Sequence, residues 1–260
     1  MYKKFENLIK FLDEKKKQGI CLAFSGGIDS TLLLYLCRKT DMLAVTFNSV
    51  FQTSKEINLT KKLCEKYNIQ QIILDTDILS NSVISENPKD RCYHCKKIIF
   101  EQILEIAKKQ NKKCIIDGTN FDDLNVYRPG QKALKEFKVI SPFADFKITK
   151  QEIRDFAKEC GIKIYDKPST PCLATRFPYG TKLTKDKLEF VENGEKFLKN
   201  LGFDNCRLRI HGNIARIEIN SGKFNEFFQQ KDLIIKTLKT DDIKYLTLDI
   251  EGFRSGSMDV

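Results

Sequence analysis

The sequence predicts an α/β protein, a doubly wound parallel sheet followed by a smaller α+β domain. Two observations carry this. Over the first 165 or so residues, short apolar runs alternate with amphipathic segments, the signature of βα units. After "RFPYGTKLT" the pattern changes to one long helical stretch followed by strand, strand, helix and strand. The expected boundary divides the 260 residues into domains 1–168 and 169–260.

In the first domain the predicted strands are 20–25 ("ICLAFS"), 42–48 ("MLAVTFN"), 71–76 ("QIILDT"), 113–117 ("KCIID") and 138–142 ("KVISP"). Helices are expected at 29–39, 53–67, 95–110 and 149–160. The last begins at "ITKQEI", where Thr149 and Glu152 have the spacing of a capping box. In the second domain the expectation is a helix over 184–201, strands over 206–211 and 215–220, a helix over 222–239 and a strand over 245–250.

Composition narrows the function classes. The N-terminal "MYKKFENLIKFLDEKKKQG" lacks the apolar run of a signal peptide, and no stretch approaches the ~18 apolar residues of a membrane span. A cytoplasmic protein without a membrane partner is expected. Its nine cysteines are an odd count, which argues against a closed disulfide framework. The formal net charge of +10 comes from lysines spread along the chain, compatible with solvated helix faces or with an anionic partner.

The first strand runs directly into "FSGGIDST". Gly26 and Gly27 permit a tight turn with close backbone approach, and Ser25 and Ser30 offer hydroxyls. The following helix aims its unpaired amides at whatever occupies the turn, which makes an anion cradle. No Gly-Lys-Ser/Thr follows, and the GxGxxG spacing is absent. After the fourth predicted strand, "DGTNFDDLNVYRPG" brings Asp117, Gly118, Thr119, Asp122, Asp123 and Arg128 to the same end of the sheet. Carboxylates there suit a nucleotide's metal, and an arginine suits developing phosphate charge.

The string SGGxDS resembles the PP-loop of the ATP pyrophosphatase superfamily, with its adenine nucleotide alpha hydrolase-like fold. The resemblance implies that ATP is split at the α-phosphorus, with Ser25, Gly26, Gly27, Asp29 and Ser30 holding the pyrophosphate end and Asp29 assisting Mg²⁺. Helix N-capping is the plainer reading of Asp29.

Six cysteines, Cys21, Cys37, Cys64, Cys114, Cys160 and Cys206, sit in or beside apolar runs or at a helix end and read as structural thiols. Cys92 and Cys95 in "DRCYHCKK" and Cys172 in "PSTPCLATRFPYG" do not. A CxxC pair fits a redox couple, a zinc half-site or an iron-sulfur half-site, and cations and a helix start beside it favour thiolates. Cys172 supplies a third ligand, enough for a [4Fe-4S] cluster with one open iron. Zinc would want a fourth ligand, and the only histidines are His94 and His211.

The strings "SGGIDS", "GTNFDD", "YRPG", "PCLATRFPYG", "ARIEI" and "FRSGSM" together resemble the LarE family over nearly the whole chain. The family makes the bis-thiocarboxylic form of pyridinium-3,5-biscarboxylic acid mononucleotide for nickel-pincer cofactor synthesis. Some members carry a lone cysteine that surrenders its own sulfur; others carry the added CxxC and resemble cluster-dependent enzymes. This chain has the CxxC. The resemblance implies adenylation of a substrate carboxylate, then sulfur transfer with Cys172, Cys92, Cys95, Arg176 and Glu195 as catalytic residues, and with Cys92, Cys95 and Cys172 on a [4Fe-4S] cluster. Its cofactors are then ATP, Mg²⁺ and the cluster; its partners are a small-molecule nucleotide, sulfide or a sulfur-donating protein, and further copies of the chain in a homo-oligomer.

In the second domain, Arg207, Arg209 and His211 share one strand face by the two-residue period. Spacing leaves open an exposed basic edge strand; the resemblance favours a grip on the substrate's phosphate by Arg207, Arg209, Arg254 and Ser255, with Ser257 a further candidate. Glu192 and Glu195 could supply an acid or base. Competing expectations are a cluster-dependent tRNA thiolase and a zinc-stabilised nucleotide-binding regulator. Without a recognisable RNA-binding module, no nucleic-acid partner is expected.

Overall fold

The structure, a computed structural model, describes residues 2–125, 129–166 and 171–254. The chain divides into two compact units, Met1–Ile78 with Asp90–Thr170, and Leu79–Lys89 with Pro171–Val260. The segment 79–89, expected inside the first domain, therefore belongs to the second unit.

The first unit begins with α1 (Tyr2–Lys15), β1 (Ile20–Ala23), α2 (Ile28–Leu36), β2 (Met42–Asn48), α3 (Ser54–Tyr67) and β3 (Gln70–Asp75). The chain then passes through the second unit, where Ser82–Ser85 forms the short α4. It returns with α5 (Arg91–Lys109), β4 (Cys114–Ile116), α6 (Gly130–Glu136), α7 (Pro142–Asp145) and α8 (Lys150–Glu159). The four strands are parallel in the order β3-β2-β1-β4. The chain winds outward from β1 to β3 and then crosses back to the other side of β1, so the strand order reverses between β1 and β4. Ligands of open α/β sheets bind beyond the carboxyl ends of the strands at this place.

Side-chain alternation builds a core on each face. Ile20, Leu22, Met42, Ala44, Cys114 and Ile116 pack against α1, α2, α3 and α8; Cys21, Leu43, Val45 and Ile115 pack against α5 and α6. Leu22 is wholly buried at the centre of the first core, and truncating such a leucine to alanine costs ~2–5 kcal/mol. The charged N-terminal stretch, not predicted as a helix, forms α1 because Phe5, Leu8 and Leu12 fall on one helical face and are buried. The Phe5 ring stacks on Phe156 of α8 with 3.9 Å between centroids.

The strand predicted at 138–142 contracts to one parallel bridge, Ile116 to Ile140. Lys138 has φ 53°, outside any strand conformation, and Pro142 already opens α7. The capping box expected at Thr149 is present, and a second one at Thr53 starts α3.

In the second unit α9 (Lys185–Asn200) lies on a three-stranded sheet of β5 (Arg207–His211), β6 (Ile214–Glu218) and β7 (Tyr245–Leu248), with β5-β6 antiparallel and β6-β7 parallel. The helix expected over 222–239 breaks at Gln230 into α10 (Phe224–Gln229) and α11 (Lys231–Leu238). Gly194 sits mid-helix, where glycine costs ~1 kcal/mol relative to alanine. A Cβ there would collide with the Leu208 side chain, so the glycine lets α9 close onto β5. Asn87, wholly buried with φ 53°, ties the inserted segment to this unit: its amide donates to the Pro178 carbonyl at 2.8 Å, and Gly180 N–H donates to the Asn87 carbonyl at 2.9 Å.

Candidate active-site elements on the two units

In the first unit, β1 ends two residues before the glycine turn. Gly26 has φ 71°, and a Cβ there would approach Thr60 Cγ2 to 2.9 Å, so both conformation and space demand glycine. Ser25 and Ser30 hydroxyls lie 3.1 Å apart, and Ser30 Oγ donates to the Gly27 carbonyl at 3.1 Å. The first helical bond of α2 is Thr31 N–H to Gly27 O at 2.9 Å. The N–H groups of Ile28, Asp29 and Ser30 therefore have no partner inside the helix and, with the positive end of the helix dipole, suit an anion.

Beyond β4, Gly118 permits close approach to this turn; its Cβ would lie 2.9 Å from Ser30 N and 3.2 Å from Asp29 Cβ. Asp117, predicted among the metal carboxylates, is committed locally. It accepts from Ser141 Oγ at 2.6 Å, Thr119 Oγ1 at 2.6 Å and Thr119 N–H at 3.2 Å, and so shapes the loop that carries Gly118 and Thr119. Asp123 accepts from Asn120 N–H at 3.1 Å.

Asp29 is the exception in this saturated neighbourhood. Its Oδ2 pairs with the Lys150 ammonium, while its Oδ1 is buried without a hydrogen-bond partner. Burial pushes the carboxyl above its ordinary range, opposed by Lys150 and reinforced by Asp123. Lys150 is a charged neighbour of this turn that sequence reading did not single out. Its signal was available: a lysine in the first turn of a capped helix opposes the helix dipole and asks for a compensating anion. Asp122, predicted as a nucleotide carboxylate, accepts the backbone N–H of Lys150 at 2.8 Å. Arg128 lies outside the described residues.

The nine cysteines differ in burial. Cys21, Cys37, Cys64, Cys114 and Cys206 are buried. Burial pushes the thiols of Cys21, Cys37, Cys64 and Cys206 up to about 12 and raises Cys114 and the half-buried Cys160 as well. Cys92 is exposed, in the first turn of α5, and Cys95 is half-buried at the start of the second; the helix begins at Arg91 rather than at 95. Three residues apart, they project from one face. His94 has its Nε2 3.2 Å from Asp90. In the second unit Cys172 is half-buried. Among the described residues, no group of three or more His, Cys, Asp or Glu side chains is gathered as a metal site.

Cys172 opens a short 3₁₀ turn, Leu173–Arg176. Arg176, 1% exposed, donates through Nε and Nη2 to the two Glu195 carboxylate oxygens at 2.8 and 3.0 Å. Its Nη1 reaches the Pro171 carbonyl at 2.9 Å and the Cys172 carbonyl at 3.3 Å. Glu195 also accepts from Leu208 N–H at 3.2 Å. Arg209, expected at the substrate's phosphate, repeats the arrangement with Glu218 at 2.8 and 3.0 Å and donates through Nη1 to the Thr175 carbonyl at 2.9 Å. Two buried Arg–Glu forks thus hold the turn behind Cys172. Both are positioning pairs, an occupation that competes with the acid-base chemistry expected of Glu195.

Arg207 differs from its neighbours. Among the described residues no carboxylate lies within ion-pair distance of it; it lies over the Phe253 ring at 4.9 Å and donates to the Cys206 carbonyl at 2.7 Å. Burial and then the charges of Arg176 and Arg209 push its pKa down, so an arriving anion would be welcome there. His211, on the same strand face, is also pushed down, by burial and then by Arg216 and Arg209. Arg254 is taken by Glu251 at 2.5 Å and by Asp249 at 3.8 Å. Ser255 and Ser257 lie outside the described residues.

The glycine turn at the switch point, closed against the β4 loop, defines an α/β protein of the PP-loop class. The family model for queuosine biosynthesis protein QueC matches residues 19–93, from the start of β1 into α5. Over longer spans, the chain is 36% identical to pyridinium-3,5-bisthiocarboxylic acid mononucleotide synthase of Lactiplantibacillus plantarum across 94% of this chain and 90% of that one. It is 35% identical to an uncharacterized protein of Synechocystis sp. over 98% and 96% of the two chains, and 36% identical to an uncharacterized protein of Methanocaldococcus jannaschii over 97% and 98%. The chain belongs to the LarE-like pyridinium-3,5-bisthiocarboxylic acid mononucleotide synthase family, a family of PP-loop enzymes.

Proposed function

We propose that this protein is an ATP-dependent sulfur transferase that converts the carboxylates of pyridinium-3,5-biscarboxylic acid mononucleotide to thiocarboxylates, with Cys92, Cys95 and Cys172 holding a [4Fe-4S] cluster. The observation that carries the reading is the division of the nine cysteines. Five are buried and Cys160 is a half-buried thiol raised by burial, whereas Cys92 is exposed and Cys95 and Cys172 are half-buried, the first two on a helix start and the third on a braced turn, in a chain that also carries an open anion turn. As a donor set, three cysteine thiols suit the cluster by chemistry and would leave one iron open. The Asp29 oxygen that lacks a hydrogen-bond partner among the described residues, beside a Ser30 amide that a Cβ at Gly118 would crowd, fits Mg²⁺ and a polyphosphate.

Ser25, Gly26, Gly27, Ser30 and the α2 amides hold the β- and γ-phosphates, with Thr119 and Asp123 beside them. A substrate carboxylate oxygen bonds to the α-phosphorus, the α–β phosphoanhydride breaks and pyrophosphate leaves. The carboxyl carbon now carries AMP, a good leaving group; attack by sulfur expels it and leaves the thiocarboxylate. The cluster, when bound, supplies sulfide to the carbonyl. Arg176 with Glu195, and Arg209 with Glu218, keep the Cys172 turn rigid, and Arg207 receives the substrate's phosphate.

Iron and acid-labile sulfide on protein purified without oxygen test this directly: about four of each per chain are expected. Cys172→Ala abolishes product. Cys92→Ala and Cys95→Ala abolish it as well if the cluster acts; wild-type turnover in both variants removes the cluster and makes Cys172 a consumed sulfur donor.

A further inference from the structure

The glycine turn after β1 has no side chain at Gly26 to hold it in place, and glycine gives up more conformational freedom on folding than any other residue. Its support comes from α3. The room that a Cβ at Gly26 would need is taken by the Cγ2 methyl of Thr60, a residue only 1% exposed. The polar half of that side chain is fully engaged. Thr60 Oγ1 donates to the Ile57 carbonyl at 2.8 Å and accepts from Gln71 Nε2 at 2.9 Å, while the same Gln71 amide donates to Thr46 Oγ1 at 2.8 Å. These bonds join α3 to β2 and β3 and fix the Thr60 rotamer. Because the two substituents on a threonine Cβ are fixed relative to each other, a hydroxyl held toward Ile57 and Gln71 sets the methyl against Gly26. A contact that served only to join α3 to the sheet would need the hydroxyl and not the methyl.

We infer that Thr60 is a positioning residue for the anion turn: its methyl, set in place by the Gln71 amide, holds Gly26 at φ 71° and keeps the opening amides of α2 available before a nucleotide arrives. The inference rests on the ATP reading above. Thr60 acts through Gly26 and not as a ligand. A glycine turn without such support samples other conformations, and the apparent affinity of its ligand falls in proportion to the fraction of molecules that remain competent. A buried, rotamer-locked methyl removes that loss by preorganisation.

The test measures two properties of the full-length protein: its affinity for α,β-methylene-ATP with Mg²⁺, by calorimetry, and its thermal melt without nucleotide. Thr60→Ser keeps the hydroxyl and its two bonds but removes the methyl, and analogue affinity is expected to fall about tenfold, as for a turn left competent in about one molecule in ten. Thr60→Val restores a methyl and removes the hydroxyl. It is expected to recover the affinity, yet to melt lower than Thr60→Ser because a Gln71 amide proton is left buried and unpaired. Affinity and stability therefore rank the two variants in opposite orders, which a merely structural role would not do. The serine result decides alone if the valine variant folds poorly. Wild-type affinity in Thr60→Ser, or an equal loss of affinity in both variants, overturns the positioning role while leaving the ATP reading intact. Wild-type protein that binds no analogue overturns both.

Discussion

The turn after β1 and the turn that opens at Cys172 are both short and both carry reactive groups, but they distribute hydrogen bonds in opposite ways. In the first, the opening amides of α2 have no helical partner, and Asp29 Oδ1 and the Thr31 hydroxyl are buried with no hydrogen-bond partner among the described residues. In the second, the carbonyls of Pro171, Cys172 and Thr175 all receive arginine protons, and both oxygens of Glu195 and of Glu218 are engaged. A surface that must receive a polyanion keeps its donors in reserve, because a ligand can use only what the protein has not already satisfied. The turn at Cys172 has its carbonyls taken by arginine donors, which on the reading proposed above fixes the place of its sulfur.

The contrast breaks most visibly at Glu195. Replacing it by glutamine leaves Arg176 buried without its counter-charge and is expected to lower unfolding stability by ~3–5 kcal/mol in urea, whereas the double change Arg176→Met/Glu195→Leu recovers much of the loss. If the single variant unfolds like wild type, the turn is not braced as described. A smaller effect is expected at Gly194. Alanine gains helix propensity yet collides with Leu208, so thermal unfolding should show a net loss of ~1–3 kcal/mol, reversed in part by Leu208→Ala.

The first turn should respond with the opposite sign. Burial raises the Asp29 carboxyl, so the folded chain binds more protons than the unfolded one above the ordinary value of 3.8, and the group's contribution to stability falls as pH rises through that window. Asp29→Asn is expected to be at least as stable as wild type at neutral pH, with an advantage that shrinks toward pH 4 in paired denaturation curves, while Mg²⁺-dependent nucleotide binding is lost. The smallest effect belongs to His211, whose lowered pKa makes the folded state bind fewer protons; stability declines as pH falls below 6.5, and His211→Asn flattens that slope.

Much of this was legible in the linear chain. Alternation of apolar residues marked β1, β2, β3 and β4 within one or two residues, the capping box marked α8, and apolar flanks marked the five buried cysteines. Local signals also misled where a single residue's backbone governed. Lys138 in the left-handed region and Pro142 at a helix start reduced an apolar run to one bridge, and charged residues between Phe5, Leu8 and Leu12 concealed α1.

Periodicity and the glycine turn are short-range matters, decided by which side chains repeat at 2 or 3.6 residues and by which backbone angles lack a Cβ penalty, so the primary structure alone settles them. Partner choice is a long-range matter. Lys150 lies 121 residues from Asp29 and Arg176 lies 19 from Glu195. Nothing in the spacing says that Arg209 is already satisfied by Glu218 while Arg207, two residues away, has no carboxylate within ion-pair distance among the described residues. Those assignments depend on which burial leaves a charge with only one place to go, and that is decided when the sheet, its helices and their loops close together.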